Sequence, residues 1–152
     1  IVGFNYGARQ YKRAIEALKL TIVCATAVTT TGFILAEFFP RAISMVFTTD
    51  EELIHHSIAG MRIVFACFPI IGFQIVAGNF FQSVGMAAKS VFMSLTRQLI
   101  FLLPGLLILP SFFGTNGIWV SMPLADGLSS MIAFVLLYKQ IKNFKNSEQY
   151  GN

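Results

Sequence analysis

The feature that most limits what this chain can fold into is the length of its uncharged runs. No Asp, Glu, Lys or Arg occurs from Ile63 to Ala88, and none falls between Lys19 and Glu37. Crossing the hydrocarbon of a bilayer takes about 20 mostly apolar residues in a helix. Helix is required there, because an open strand in lipid leaves backbone N–H and C=O groups unpaired. Composition agrees: 55% of the 152 residues are hydrophobic, 12% are charged, 16 are Phe, and mean hydropathy is +0.69. A soluble domain carries roughly a quarter charged residues, so this chain lacks the groups needed to keep such an apolar surface in water.

Four stretches qualify as spans, at about 17–39, 58–81, 90–113 and 117–138. The expected fold is therefore an all-α integral membrane bundle of four transmembrane helices. Residues 1–16 read as the end of a preceding helix plus a loop, and the residues after 138 as a short tail. Within 1–16 the basic cluster follows the apolar start, opposite to the order in a signal peptide. Ile1-Val-Gly-Phe looks like the tail of an earlier span, so the chain reads as a piece of a longer transporter-like protein. Pro40 closes the first span. Thr48, Thr49 and Asp50, followed by Glu51 and Glu52, form a helix-start signal before the second. Gly85 and Lys89 mark a turn, and Gly114-Thr-Asn-Gly117 is short enough to make the third and fourth spans antiparallel neighbours. Pro69, Pro104, Pro110 and Pro123 predict kinks and freed carbonyls within or at the ends of spans.

Lys and Arg concentrate on the cytoplasmic side of membrane proteins. Alternating span ends put Arg9, Lys12, Arg13, Lys19, Lys89, Arg97, Lys139, Lys142 and Lys145 on one side. Arg41 and Arg62 fall on the other, beside Glu37, Asp50, Glu51 and Glu52. Both ends of the segment are thus expected to be cytoplasmic. The net charge of +4 follows from this bias and calls for no nucleic-acid partner.

Signatures of enzymes are missing. There is no Gly-Lys-Ser/Thr phosphate loop, and His55 and His56 are adjacent, so on a helix they diverge and cannot grip one metal together. Cys24 and Cys67 sit inside spans and read as inert thiols. The expectation is no enzyme, no metal and no cofactor.

Ionisable residues inside spans are the default functional candidates of a membrane protein. Asp126 lies roughly 13 Å in from the outer end at helical rise, near mid-membrane. It reads either as a protonatable or ion-binding carboxylate at a polar cavity, or as half of a satisfied packing pair. Arg97 is the candidate partner, at a height differing by roughly 10 Å, with snorkelling to the surface as its alternative. On the second span Cys67, Ile71, Gln74, Gly78, Gln82 and Gly85 share one helix face, with Asn79 beside it. That stripe suits either substrate lining or close helix packing. Thr26, Thr29, Thr30 and Thr31 are expected to bond back to their own helix.

Several strings together resemble one family. Gly3-Phe-Asn-Tyr-Gly-Ala-Arg-Gln-Tyr-Lys-Arg13 is similar to the cytoplasmic loop after the eighth helix of multidrug and toxic compound extrusion (MATE) transporters. Phe81-Gln-Ser-Val-Gly85 with Lys89 resembles the loop after their tenth helix. Ser94-Leu-Thr-Arg-Gln98 with Leu107-Ile-Leu-Pro110 resembles the eleventh, and Gly117-Ile-Trp-Val-Ser-Met-Pro-Leu-Ala-Asp126 the twelfth. The ordered set is nearest to the bacterial multidrug export branch. This resemblance implies a twelve-helix transporter of two lobes in the bacterial plasma (inner) membrane, exchanging H⁺ or Na⁺ for cationic amphipathic drugs. The chain would then supply about the last four helices, a MATE-type second lobe segment whose partners are the lipid bilayer and the first lobe of the same protein. One departure stands out. Some branches place a cation-binding acid in the tenth helix, whereas the matching span here offers only Gln74 and Asn79 as strongly polar residues between Ile63 and Phe81. The candidate substrate or coupling-ion path is therefore Asp126, Gln74, Asn79, Gln82 and Arg97. Phe65, Phe68, Phe73 and Phe80 are aromatic candidates for drug stacking or for lipid contact. A flippase for lipid-linked oligosaccharides of the same superfamily and a non-exchanging structural or channel subunit are the rival readings.

Overall fold

The computed structural model describes residues 1–150, with side chains to Asn146, and every regular element among them is helical. A short helix, α1 (Val2–Gly7), leads through a tight turn into α2 (Tyr11–Phe38). In that turn the Arg9 N–H donates to Tyr6 O and the Gln10 N–H to Asn5 O at 2.8 Å, with Arg9 at φ 58°. This is the paired-bond helix ending that glycine usually occupies. The same ending recurs with glycine at Gly85 (φ 77°), where the Met86 N–H reaches Phe81 O at 2.8 Å.

The remaining elements are α3 (Pro40–Met45), α4 (Glu51–Phe65), α5 (Phe68–Ser83), α6 (Ala87–Leu95), a π-helical segment (Thr96–Leu102), α7 (Leu103–Phe113) and α8 (Thr115–Tyr150). Among the described residues three helical stretches are long and apolar enough to cross a membrane: Tyr11–Phe38, Ala87–Phe113 and Thr115–Asn146. The pair α4 and α5, bent by 49°, passes the same test of length and apolarity when taken together. The all-α membrane architecture expected from the uncharged runs is thus the observed one.

Local chemistry sets the boundaries. The second pass was expected over 58–81, yet its helix begins at Glu51. There the Asp50 carboxylate caps the start, accepting from the Glu52 and Leu53 N–H groups at 2.9 and 3.2 Å. The pass then breaks at Ala66 and Cys67. Pro69 has no N–H, and its ring crowds the carbonyl four residues back, which belongs to Phe65, the last residue of α4. Pro104 acts the same way on the third pass. Its ring displaces the carbonyl of Ile100, and the backbone absorbs this as the π-helical segment, closed by the Leu103 N–H on Gln98 O. Pro110 and Pro123 sit inside α7 and α8 without ending them. The stretch after 138, a tail by its sequence, continues α8 to Tyr150, and residues 151–152 lie outside the described part.

α5 and α8 occupy the middle of the bundle. α5 packs on α2, α6 and α8, and α8 also packs on α7, the π segment and α4. Glycine permits a close approach of α5 to α2. A Cβ on Gly72 would lie 2.7 Å from Thr29 Oγ1 and 2.8 Å from the Ala25 carbonyl, so α5 meets α2 nearly backbone to backbone. Between helices in lipid, van der Waals contact of this kind replaces the hydrophobic force. A well-buried cluster of Leu18, Val76, Phe80, Phe81, Leu137 and Phe144 closes the end that carries Lys89. Large apolar residues such as Val28, Leu107, Phe112 and Phe134 face outward, as a surface solvated by lipid does.

Candidate functional site

The site grows from the π-helical segment. A π turn is wider than an α turn and advances less per residue, so it lowers Arg97 toward the height of Asp126 on the neighbouring α8. Arg97 Nε donates to Asp126 Oδ1 at 2.5 Å. Pairing, not snorkelling, is what Arg97 does here. Burial is unequal: the Asp126 side chain is 4% exposed and the Arg97 side chain 42%. The carboxylate lies inside the bundle, and the guanidinium stands between it and open space.

One face of α8 continues the polar chemistry, since Asp126, Ser129 and Ser130 follow three- and four-residue spacing. Ser129 Oγ donates to Asp126 O at 3.2 Å and accepts from Gln74 Nε2 at 2.7 Å. Ser130 Oγ donates to Gln74 Oε1 at 3.4 Å. The amide of Gln74 is thereby held at both ends by α8. Sequence reasoning missed both serines, although their spacing from Asp126 is a readable signal.

In front of this layer lies a groove of about 260 Å³ between α5, α6 and the π segment. Its polar lining is Gln74, Asn79, Gln82, Ser90, Ser94 and Arg97, over an apolar floor that includes Ile71 and Met93. Four of the five candidate residues therefore share one groove, and the fifth, Asp126, sits behind it and reaches it through Arg97. Asn79 also borders a separate apolar hollow with Leu18 and Phe80. None of the four aromatic candidates lines the groove. Phe65 and Phe68 stack on each other at 4.2 Å, Phe73 lies against Phe134, and Phe80 belongs to the buried cluster.

Other polar side chains serve packing. Thr29 and Thr31 donate back to the Ala25 and Ala27 carbonyls at 3.0 and 2.9 Å, as expected for hydroxyls inside an apolar helix. Lys89 does more than mark a turn. Its Nζ donates to the buried Gln140 Oε1 at 2.7 Å and lies 5.3 Å from the Phe81 ring centre, tying α6 to α8.

The sequence profile of the MatE family matches residues 1–108. The chain belongs to the MatE family. The resemblance carried by the loop and helix strings is borne out, and with it a multi-pass membrane protein of a transporter family. Among relatives, the MatE chain is 23% identical over 145 residues to multidrug export protein MepA of Staphylococcus aureus (strain NCTC 8325 / PS 47), covering 91% of this chain and 30% of MepA. A solved chain called protein A is 45% identical with a TM-score of 0.85, over 91% of this chain and 31% of its own. The inward-facing conformation of a multidrug resistance MATE family transporter of the MOP superfamily superimposes with a TM-score of 0.89 at 18% identity, over 97% of this chain and 34% of its own. The MatE chain thus spans between 30% and 34% of the length of these relatives.

Proposed function

We propose that this MatE chain is part of a cation-coupled multidrug antiporter, contributing helices of the second lobe. The whole protein exports cationic amphipathic compounds by alternating access, in exchange for H⁺ or Na⁺. Both ends of the segment lie on the cytoplasmic side of a bacterial inner membrane, in keeping with the nine-to-two bias of Lys and Arg.

The observation that carries this reading is the Arg97–Asp126 pair behind a polar groove in a chain of this family. Intramembrane charges are expensive and mark ion or substrate pathways. In this reading the coupling ion takes the place of the Arg97 guanidinium at Asp126, and that exchange alters the groove in front of it. The groove is smaller than the roughly 300–1,000 Å³ of a complete ligand pocket. It suits one side of a cavity whose other side comes from the first lobe. Lobes rocking about such a midplane site are the usual route of alternating access. Neutralisation of Arg97 by Asp126 counts against a flippase for a pyrophosphate-linked lipid, which needs a strongly basic cavity.

The test is drug efflux from vesicles carrying the full-length parent, wild type against Asp126→Asn, with an imposed H⁺ or Na⁺ gradient. Gradient-driven efflux is expected to collapse in the folded, inserted variant. Undiminished efflux would make Asp126 a packing residue and move coupling to other helices.

A further inference from the structure

The groove presents a cation to its ligands, yet the proposed cargo is cationic. Among the described residues Arg97 is the only charged side chain in the groove lining, and nearly half of its side chain is open. Its counter-charge is out of reach of anything in the groove, because Asp126 is buried on the far side of the guanidinium. A ligand therefore meets Asp126 only through its effect on Arg97. With the carboxylate in place the pair is neutral overall, and the remaining lining consists of amides, hydroxyls and apolar groups.

We propose that Asp126 sets the charge selectivity of the groove by neutralising Arg97, so that the groove accepts organic cations and, without that carboxylate, accepts organic anions instead. This rests on the efflux reading above for the cationic cargo, while the charge-setting role itself rests on geometry. Arg97 is a specificity-determining residue that points a guanidinium at the ligand, and Asp126 is a positioning residue that acts through it. The serine–glutamine layer supports the arrangement. Gln74 is held by Ser129 and Ser130, and Ser129 Oγ also donates to the Asp126 carbonyl, so the layer ties α5 to the turn of α8 that carries Asp126.

Asp126→Asn is the informative variant. The amide keeps an oxygen where Arg97 Nε donates, so the hydrogen bond survives while the negative charge is lost. Arg97→Gln/Asp126→Asn then removes both charges and leaves a neutral groove. Tetraphenylphosphonium and tetraphenylborate are probes of nearly the same shape and opposite charge. Their equilibrium binding would be measured on the full-length parent in uncharged detergent, with a monodisperse elution profile required of each variant.

For Asp126→Asn, tetraphenylphosphonium affinity is expected to fall on the order of tenfold or more, the scale of one uncompensated charge at several ångströms. Tetraphenylborate affinity should rise by a similar factor. The double variant should regain phosphonium binding and lose the borate preference. Equal phosphonium binding by wild type and Asp126→Asn would overturn the inference, as would a double variant no better than the single one. If wild type binds no phosphonium while Asp126→Asn still gains borate, the charge-setting pair stands and the cationic-cargo reading falls. If wild type binds phosphonium and neither affinity changes in Asp126→Asn, the charge-setting role falls and the cationic-cargo reading stands.

Discussion

Arg41–Glu51 and Arg97–Asp126 join the same two chemical groups in different surroundings. Arg41 Nη2 donates to both oxygens of Glu51, at 2.7 and 3.0 Å, and ties α3 to α4. Its two side chains are 62% and 70% exposed. Arg97 makes a single contact, but with a carboxylate that is 4% exposed. Hydrogen-bond geometry favours the first pair, and energetic weight belongs to the second. An exposed pair contributes about 0–1 kcal/mol, because water competes for both partners. Deleting one partner of a buried pair costs about 3–5 kcal/mol, because the other is stranded. Burial decides how much an ion pair matters, and it also decides whether the pair can act as a switch. A change at Glu51 is absorbed by solvent, whereas a change at Asp126 must show itself at Arg97.

The largest effect should come from Arg97→Ala. It leaves Asp126 buried without its guanidinium, and thermal unfolding of the full-length parent in detergent should report a loss of about 3 kcal/mol, the low end for a buried pair because the Arg97 side chain is 42% exposed. A loss below about 1 kcal/mol would put the two pairs in one class. Next is Gly72→Ala, a neutral interior change. The new methyl meets the Ala25 carbonyl and Thr29 Oγ1, so α2 and α5 must separate, at a cost of about 1–3 kcal/mol by the same measurement. Gln74→Leu removes the bridge to Ser129 and Ser130. Hydrogen bonds between membrane helices are modest, and about 1 kcal/mol is expected. The smallest effect is Glu51→Gln, within about 0–1 kcal/mol and fading toward zero at about 1 M salt. A salt-resistant loss at Glu51 would contradict its placement on a wet rim.

Much of the site was legible in the linear pattern. The spacing of Gln74, Gly78 and Gln82 puts them on one face of the second pass, and all three line the groove. Asp126 and Arg97 stand out in any chain with so few charges inside its spans. Ser90, Ser94, Ser129 and Ser130 were not singled out. Serine is unremarkable in a helix until a partner such as Gln74 is known, and that partner lies on a different pass.

By itself the sequence determined that the chain must be a helical bundle in lipid. Uncharged runs of that length have one solution where backbone groups must pair internally. It also determined where helices start and fail, because Asp50 caps and Pro69 and Pro104 act on residues within one turn. Only the tertiary structure decided that Arg97 pairs with Asp126. Along ideal helices the two sit at different heights, and snorkelling is the other outlet for the guanidinium. The π segment before Pro104 and the packing of α8 against it bring them together. Contacts between passes depend on crossing geometry and small changes in helix rise, which residue spacing does not carry.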